Sequence, residues 1–395
     1  MIYQIVIVIL LLFVLRYDIN GKTRYRNECF YAMLVIFILI AGLRYRLGVD
    51  TTRYLTRFYY ETPELHELTW DDLEFGTDPL YTLLNSIVLT LGGKFYMVQL
   101  LHAGFVNTLI FSYIKKHTDA IFLSIFIYFI WQYALINMEE MRASMSLVVC
   151  LFANDYLLDK KWMKGLLLYV IGCLFHTSTI IVMIMPLFFF MRLNKICVMV
   201  LIGAFFFGFV IQSFLSDYVT LIQINDEIDA KAQGYADSED FMESKRNILG
   251  YLSLVISCGY SVLSLWYMKI GKFDTRLLKI EPLIMVYLIF AIMYIGLPIA
   301  YRFSRFYIIY NIMFVAEFMI HLFKKQDPRI GQYVIYTKAL AIMFPFFFLI
   351  FKGRSTEKTW VRYHPYSSVF DQRLDQKRER VYSFYGGDRA LPGKY

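Results

Sequence analysis

The chain has 395 residues, of which 58% are hydrophobic and 18% aromatic, and its mean hydropathy is +0.50. Soluble domains are typically about 45–50% apolar even when glycine is counted, so this composition excludes an ordinary soluble protein. The net charge of +8 does not indicate nucleic-acid binding, because basic residues in a membrane protein mainly report which side of the membrane a loop faces.

Apolar runs recur along the whole chain, and several approach the ~20 residues that a helix needs to cross a bilayer. Backbone polar groups in lipid must be satisfied internally, so each span is expected to be helical. The sequence therefore predicts an all-α polytopic membrane protein with about 12 transmembrane helices, or roughly 11 to 14. The runs lie at 2–15, 30–43, 95–113, 119–136, 143–153, 165–175, 178–191, 196–215, 248–268, 282–301, 306–323 and 334–351.

Basic residues cluster in several short connections, which the positive-inside rule assigns to the cytoplasm. The two long connections, 44–78 and 216–247, then become extracytoplasmic loops, and both are net acidic. The short stretch 79–93 is expected to form an interfacial or re-entrant helix, which preserves the alternation of sides. We expect residues 1–351 to form a single membrane-embedded domain, followed by a basic, aromatic C-terminal tail at 352–395 on the outer side.

Five sites hold charge or imidazole against apolar neighbours, and all map to the outer side. A charge at membrane depth costs roughly 2.5–3.5 kcal/mol on insertion scales and indicates a functional site by default. The sites are RYRLGVD at 44–50, TDPLY at 77–81, EEMRASM at 139–145, CLFHTST at 173–179 and YRFSRFY at 301–307. Guanidinium groups match phosphate oxygens and never deprotonate, so the arginines predict a pocket for an anionic group presented from the membrane.

Three of these sites also have a purely structural interpretation. Arg44 and Arg46 could be interfacial anchors whose charged ends reach water. Glu139 and Arg142 are three positions apart and could pair on one helix face. His176 could be a buried imidazole that is hydrogen-bonded to the backbone.

Arg302 and Arg305 are harder to explain structurally, because they share one helical face with no acidic residue within ten positions. Two such groups repel unless an anion joins them. Fixed cations of this kind would bind the anionic group in place of a divalent metal, so we expect neither a metal nor a cofactor. The alternative is a metal site at the acidic run DSED, 237–240. The sequence holds no Gly-rich phosphate loop, nucleophile elbow or HExxH motif, and its five cysteines lack paired spacing.

Several stretches together resemble the EpsG family, the Wzy-like polymerases of bacterial exopolysaccharide, capsule or O-antigen. RYRLGVDTTRY is similar to the family's R-Y-x-x-G-x-D-x-x-x-Y stretch after the second helix. The segment from MRASM to FHTST follows the family's order of Arg, small-residue helix, Tyr-Leu, Lys-Lys and Phe-His-x-Ser, and AYRFSRFY and RYHPYSSVF fit near the end. The chain departs from the family pattern before the third apolar segment, where the family commonly has an acidic residue and this chain has GTDPLY, with Asp78 as the stand-in. The resemblance covers residues 1–370.

This resemblance implies a GT-C-like helical protein of the bacterial cytoplasmic (inner) membrane, with its active site on the extracytoplasmic face. It implies a glycosyltransferase that transfers a growing glycan from undecaprenyl pyrophosphate to a lipid-linked repeat unit. The implied partners are that lipid-linked oligosaccharide, membrane lipid, and the flippase and chain-length regulator of the same pathway, without nucleic acid. Alternatives are a lipid-linked oligosaccharide flippase, which should show a two-fold repeat, a polysaccharide-modifying membrane acyltransferase, and a non-catalytic assembly partner.

In such a transfer, negative charge develops on the leaving pyrophosphate. Fixed cations aimed at that charge are the largest expected catalytic effect. We therefore assign Arg302, Arg305 and either Arg44 or Arg46 to the pyrophosphate, with Arg142 as a second candidate clamp.

The acceptor hydroxyl needs a base, for which His176, Asp50 and Glu139 are candidates. Histidine titrates nearest neutral pH, whereas nearby arginines are expected to lower the pKa of Asp50. We therefore place His176 first and Asp50 second. The family pattern further implies that Tyr54 and Asp78 contact the substrate.

Overall fold

The computed structural model describes residues 2–218, 258–267, 269, 276–324 and 361–384, and the regular elements within these ranges are all helices. The all-helical class is therefore confirmed for this part of the chain. Most of the predicted run at 248–268, the run at 334–351 and nearly all of the loop at 216–247, with its DSED sequence, lie outside the described residues.

The helices follow the predicted apolar runs, with additional short elements between them. In chain order they are α1 (Ile2–Phe13), α2 (Arg26–Gly42), α3 (Val49–Thr56), α4 (Pro79–Thr90), α5 (Phe95–His117), α6 (Ile121–Trp131), α7 (Met141–Leu158), α8 (Trp162–Phe175), α9 (Thr179–Ile184), α10 (Lys195–Tyr218), α11 (Glu281–Met293), α12 (Ala300–Arg305), α13 (Ile308–Lys324) and α14 (Gln376–Phe384). Residues 258–267, between α10 and α11, are also helical. Single π-helical turns cover Val14–Ile19, Arg57–Glu61 and Leu135–Glu139.

Four described helices are long and apolar enough to cross a membrane: Ile2–Ile19, Phe95–His117, Met141–Leu158 and Lys195–Gln212. They agree with a helical membrane protein, while the total of about 12 spans stays a prediction.

The connection at 44–78 differs from the predicted loop, because α3 and shorter helical turns occupy part of it. The stretch 79–93 contains the 12-residue helix α4, which is shorter than the ~20 residues that a membrane crossing needs.

The chain divides into two compact units. The first unit comprises 1–148, 174–176 and 320–395, and the second comprises 149–173 and 177–319. The described residues 361–384, which belong to the predicted tail, are therefore part of the first unit.

In the first unit, α2 packs along α5. Gly42 permits the close approach, since a Cβ there would lie 2.5 Å from Cδ2 and 2.9 Å from Cα of Leu100. Phe37 lies fully buried on the same helix, 4.8 Å from the ring of Tyr133, whose hydroxyl donates to the Phe37 carbonyl at 2.5 Å. Aromatic packing of this kind stabilises a core beyond its buried area.

Several buried polar side chains in the first unit are hydrogen-bonded. Asn107 donates to Asn137 at 2.7 Å, and Asn137 donates to the Tyr128 hydroxyl at 2.8 Å. Asp18 accepts the N–H of Leu123 at 2.7 Å, which satisfies one of the free donors in the first turn of α6. The bonds of Asn137 tie α5 and α6 to the turn at Leu135–Glu139, which carries Glu139.

The second unit contains comparable polar ties. Asn154 donates to the Tyr310 hydroxyl at 2.9 Å, and the Tyr169 hydroxyl donates to Asn154 at 2.5 Å. Glu281 accepts from Lys269 Nζ at 3.0 Å and from the N–H of Leu193 at 2.7 Å.

Candidate functional site

Asp78 is the centre of a cluster of charged side chains in the first unit. It directly precedes α4, whose first residue is Pro79, a residue that is preorganised for a helix start. Its φ of +60° lies in the left-handed region, which aspartate tolerates better than most residues. Its side chain is fully buried, and a buried carboxylate needs charged or hydrogen-bonding partners.

Arg142 is the first of these partners. Its Nη1 pairs with Oδ2 of Asp78, and its guanidinium lies 5.6 Å from the centre of the Tyr54 ring. Arg142 is in the first turn of α7, where the helix dipole disfavours a cation. The carboxylate of Asp78 offsets that effect, so each charge stabilises the other.

His176 is the second partner, and it follows directly after the end of α8. Its Nδ1 lies 3.4 Å from Oδ1 of Asp78. The imidazole is therefore aligned by a carboxylate, and it is not the backbone-bonded histidine of the structural interpretation. About 17% of its side chain is exposed.

Asp50 and Glu139 form a second group of carboxylates, near Arg142. The N–H of Asp50 donates to Oε2 of Glu139 at 3.0 Å. Burial raises the pKa of Asp50 to about 6, with Glu139 and Glu140 adding to the rise and Arg53 and Arg142 opposing it. The expected net lowering of this pKa is wrong: the arginines do lower it, but burial and the two neighbouring glutamates outweigh them.

Glu139 does not pair with Arg142 on a helix face among the described contacts. Its second oxygen, Oε1, accepts the hydroxyl of Tyr363 at 2.7 Å. Gly48 brings these segments together, since its N–H donates to the Arg362 carbonyl at 3.1 Å. A Cβ on Gly48 would lie 2.6 Å from the Met138 carbonyl oxygen, and its φ is +94°, so only glycine fits here without strain.

Arg44 and Arg46 lie in the same unit, but protein groups hold both. Arg44 is fully buried, with Nη1 donating to the Ala41 carbonyl and Nη2 lying 3.4 Å from Sδ of Met141. Arg46 pairs through both Nε and Nη2 with the carboxylate of Glu379. Their position does not match an anchor that reaches into water, and their assignment to a pyrophosphate stays a prediction.

The C-terminal segment 361–384 docks on residues 43–48. The N–H of Tyr45 donates to the Ser367 carbonyl at 2.8 Å, and the N–H of Val369 donates to the Leu43 carbonyl at 2.9 Å. These two bonds make a short antiparallel bridge between Arg44 and Ser368.

Arg302 and Arg305 belong to the second unit, on the short helix α12. Arg305 is buried, with its guanidinium 4.2 Å from the centre of the Tyr301 ring, a distance typical of a cation–π contact. Their assignment to the pyrophosphate therefore also stays a prediction.

The first unit thus brings together Asp78, Arg142, His176 and Tyr54, with Asp50 and Glu139 beside Arg142. The sequence motifs named all six of these residues. They did not indicate Tyr363 or Glu379, since neither interrupts an apolar run, although the RYHPYSSVF stretch that contains Tyr363 carried part of the family resemblance.

Residues 27–368 match the family model described as the EpsG family. Comparison with curated proteins and with solved structures gives no significant match.

Proposed function

The chain belongs to the EpsG family, and from this premise we propose that it polymerises polysaccharide at a membrane by glycosyl transfer. The family suggests an exopolysaccharide-related polymerase. The proposal goes further: the donor is a growing glycan on undecaprenyl pyrophosphate, and the acceptor is a lipid-linked repeat unit. The site faces the outside of the bacterial cytoplasmic membrane.

The observation that carries this proposal is the buried Asp78, which pairs with Arg142 through one oxygen and aligns His176 through the other. A carboxylate that holds Nδ1 of a histidine leaves Nε2 to act on the substrate and stabilises the imidazolium that forms. A cation next to this pair can stabilise developing negative charge. A glycosyl transfer with an acidic leaving group needs both features.

We assign the steps as follows. The acceptor hydroxyl oxygen attacks the anomeric carbon of the donor glycan, and its proton passes to Nε2 of His176. The bond from that carbon to the pyrophosphate oxygen breaks, and the lipid pyrophosphate leaves with the electron pair. Asp78 holds the imidazole, and Arg142 stabilises negative charge at the reacting centre.

Asp50 is the second candidate base. In its ionised form it can accept a hydrogen bond from the incoming sugar hydroxyl, and Tyr54 can pack against the sugar ring. Arg302 and Arg305 remain proposed ligands of the pyrophosphate, on the chemistry of their shared helical face alone.

The test is glycan ladder formation by the purified protein, supplied with a lipid-linked repeat unit and no ATP. We expect ladders from the wild type, with and without a metal chelator. His176→Asn and Asp78→Asn should each slow the reaction about 10²-fold or more. The exposed His66, in the same connection as Asp78, provides the matched control, and His66→Asn should match the wild type.

Each contrary result has a defined meaning. Wild-type ladders from His176→Asn would remove the histidine from the mechanism. Transbilayer movement of the lipid-linked unit without any ladder would identify a flippase instead, and acyl transfer to the glycan would identify an acyltransferase.

A further inference from the structure

The first turn of α3 depends on an acceptor that comes from a distant part of the chain. The first N–H groups of a helix have no partner within the helix, and the N-cap residue here is Gly48, which has no side chain to supply one. Glu139 takes that role for Asp50, across 89 positions of sequence. A carboxylate at a helix N-terminus is also favoured by the helix dipole.

Tyr363 holds the other oxygen of the same carboxylate. Its hydroxyl donates to Oε1 of Glu139 at 2.7 Å, across 224 positions of sequence. A hydrogen bond to a charged acceptor is stronger and more directional than one between neutral groups. Glu139 is therefore fixed at both oxygens, by Asp50 on one side and by Tyr363 on the other.

Tyr363 is itself held firmly by its own segment. Nε of Arg378 donates to the Val361 carbonyl at 3.1 Å, and its Nη2 donates to the Pro365 carbonyl. These bonds brace the loop on both sides of Tyr363. The Tyr382 hydroxyl adds a tie from α14 to the Arg46 carbonyl at 3.0 Å.

We propose that Tyr363 is a positioning residue of the candidate site: it fixes Glu139, which in turn fixes the backbone and carboxylate of Asp50. This inference rests on the proposed function, because it gives Asp50 a role toward the substrate. The C-terminal segment thereby becomes a part of the site. Tyr363 acts through Glu139 and does not itself touch the reacting atoms.

The charges around Asp50 decide how this arrangement responds to pH. Glu139 and Glu140 face it from the turn before α7, Arg142 faces it from α7, and Arg53 lies on its own helix. Arg362 and Tyr382 lie near Tyr363 on the C-terminal side. A movement of Glu139 therefore changes the strongest charged neighbour of Asp50 without removing any of the arginines.

The experiment that tests the proposal follows the Asp50 amide by hydrogen exchange in the intact, membrane-embedded protein. Tyr363→Phe should speed exchange of that amide about tenfold, the loss expected when one hydrogen bond to a charged group is removed. Tyr366→Phe is the matched control, since its hydroxyl donates to the Ile40 carbonyl at 3.1 Å and not to a carboxylate. This control should leave the Asp50 amide unchanged.

A double-mutant cycle shows whether Tyr363 acts through Glu139. Glu139→Ala removes the acceptor of the Asp50 amide, so adding Tyr363→Phe should give no further increase in exchange. If Glu139→Ala does not fold, Glu139→Gln replaces it, and the second substitution should then have a smaller effect than in the wild type. Equal effects in both backgrounds would overturn the proposal.

Ladder formation is measured on the same variants. Tyr363→Phe should slow it about tenfold and shift the acid side of its pH profile, whereas Tyr366→Phe should do neither. Faster exchange with an unchanged ladder would overturn the positioning role. If the wild type itself forms no ladder, the proposed function fails, and the exchange data still decide whether Tyr363 fixes Asp50.

Discussion

Two charged clusters in the first unit, Arg44 with Arg46 and Arg142 with Asp78, both lie beside apolar runs but differ in what their guanidinium groups contact. Arg44 and Arg46 are held by a backbone carbonyl, a methionine sulfur and the carboxylate of Glu379. Arg142 instead meets Asp78, whose second oxygen aligns the partly exposed His176. The first cluster joins two segments of the chain, and the second is the proposed reacting site.

The contacts of Arg44 and Arg46 show that a charge beside an apolar run does not by itself indicate a reacting group. A buried arginine can be fully hydrogen-bonded by the surrounding protein groups. Such an arrangement adds little free energy of folding compared with apolar packing at the same place. Arg142 differs because Asp78, the carboxylate that it contacts, also contacts the partly exposed His176.

Gly48→Ala should disrupt both clusters at once. The new Cβ would clash with the Met138 carbonyl at a φ of +94°, and strain and overpacking each cost about 1–3 kcal/mol. We expect a large loss of folded protein, measured by yield and by thermal unfolding in detergent. Gly21→Ala is the control, with a φ of +64° but no atom within 4 Å. Equal losses in the two variants would mean that contact with Met138 is unimportant.

Arg142→Lys should slow ladder formation about 10²–10³-fold while the protein remains folded, because an ammonium cannot replace the planar fork. Arg46→Lys should show the opposite pattern. It should lower the unfolding temperature, while the folded protein that remains forms ladders at nearly the wild-type rate. Purified variants are compared at equal folded concentration. The distinction between the clusters is lost if Arg46→Lys reduces turnover as strongly as Arg142→Lys.

Glu379→Ala should lower the free energy of unfolding by about 1–3 kcal/mol, because it leaves the buried Arg46 without its carboxylate. Thermal unfolding measures the change. The exposed pair of Lys161 and Asp159 is the control, and Asp159→Ala should have no measurable effect, since exposed ion pairs contribute little. An unchanged midpoint in Glu379→Ala would show that this pair does not hold the C-terminal segment.

Asp50→Asn should have the smallest effect, a loss of about tenfold in ladder formation near neutral pH. The pKa of Asp50 is raised to about 6, so its ionised form is lost as the pH falls through that value, and activity that needs the carboxylate falls with it. The logarithmic slope on the acid side should decrease by about one unit in Asp50→Asn. An identical profile would exclude ionised Asp50 from the reaction.

The sequence predicted the helical class and singled out Asp78, Arg142 and His176 as candidate site residues, because apolar runs and charges within them are local signals. It did not predict which arginine meets which acid. Glu379 is 333 positions from Arg46, and no local period relates such distant residues. Asp78, from the TDPLY site, contacts partners that lie 64 and 98 positions away in sequence, so no local pattern could show that it lies between them.

The bonds from Gly48 to Arg362 and from Arg46 to Tyr382 also have a consequence for biogenesis. A ribosome reaches the codon for Gly48 early, but the groups that hold this segment are made only when synthesis approaches residue 382. The helices between these segments are therefore made before the groups that hold residues 46–48 exist. The contacts around Gly48 and Arg46 can form only after the C-terminal segment 361–384 has been translated.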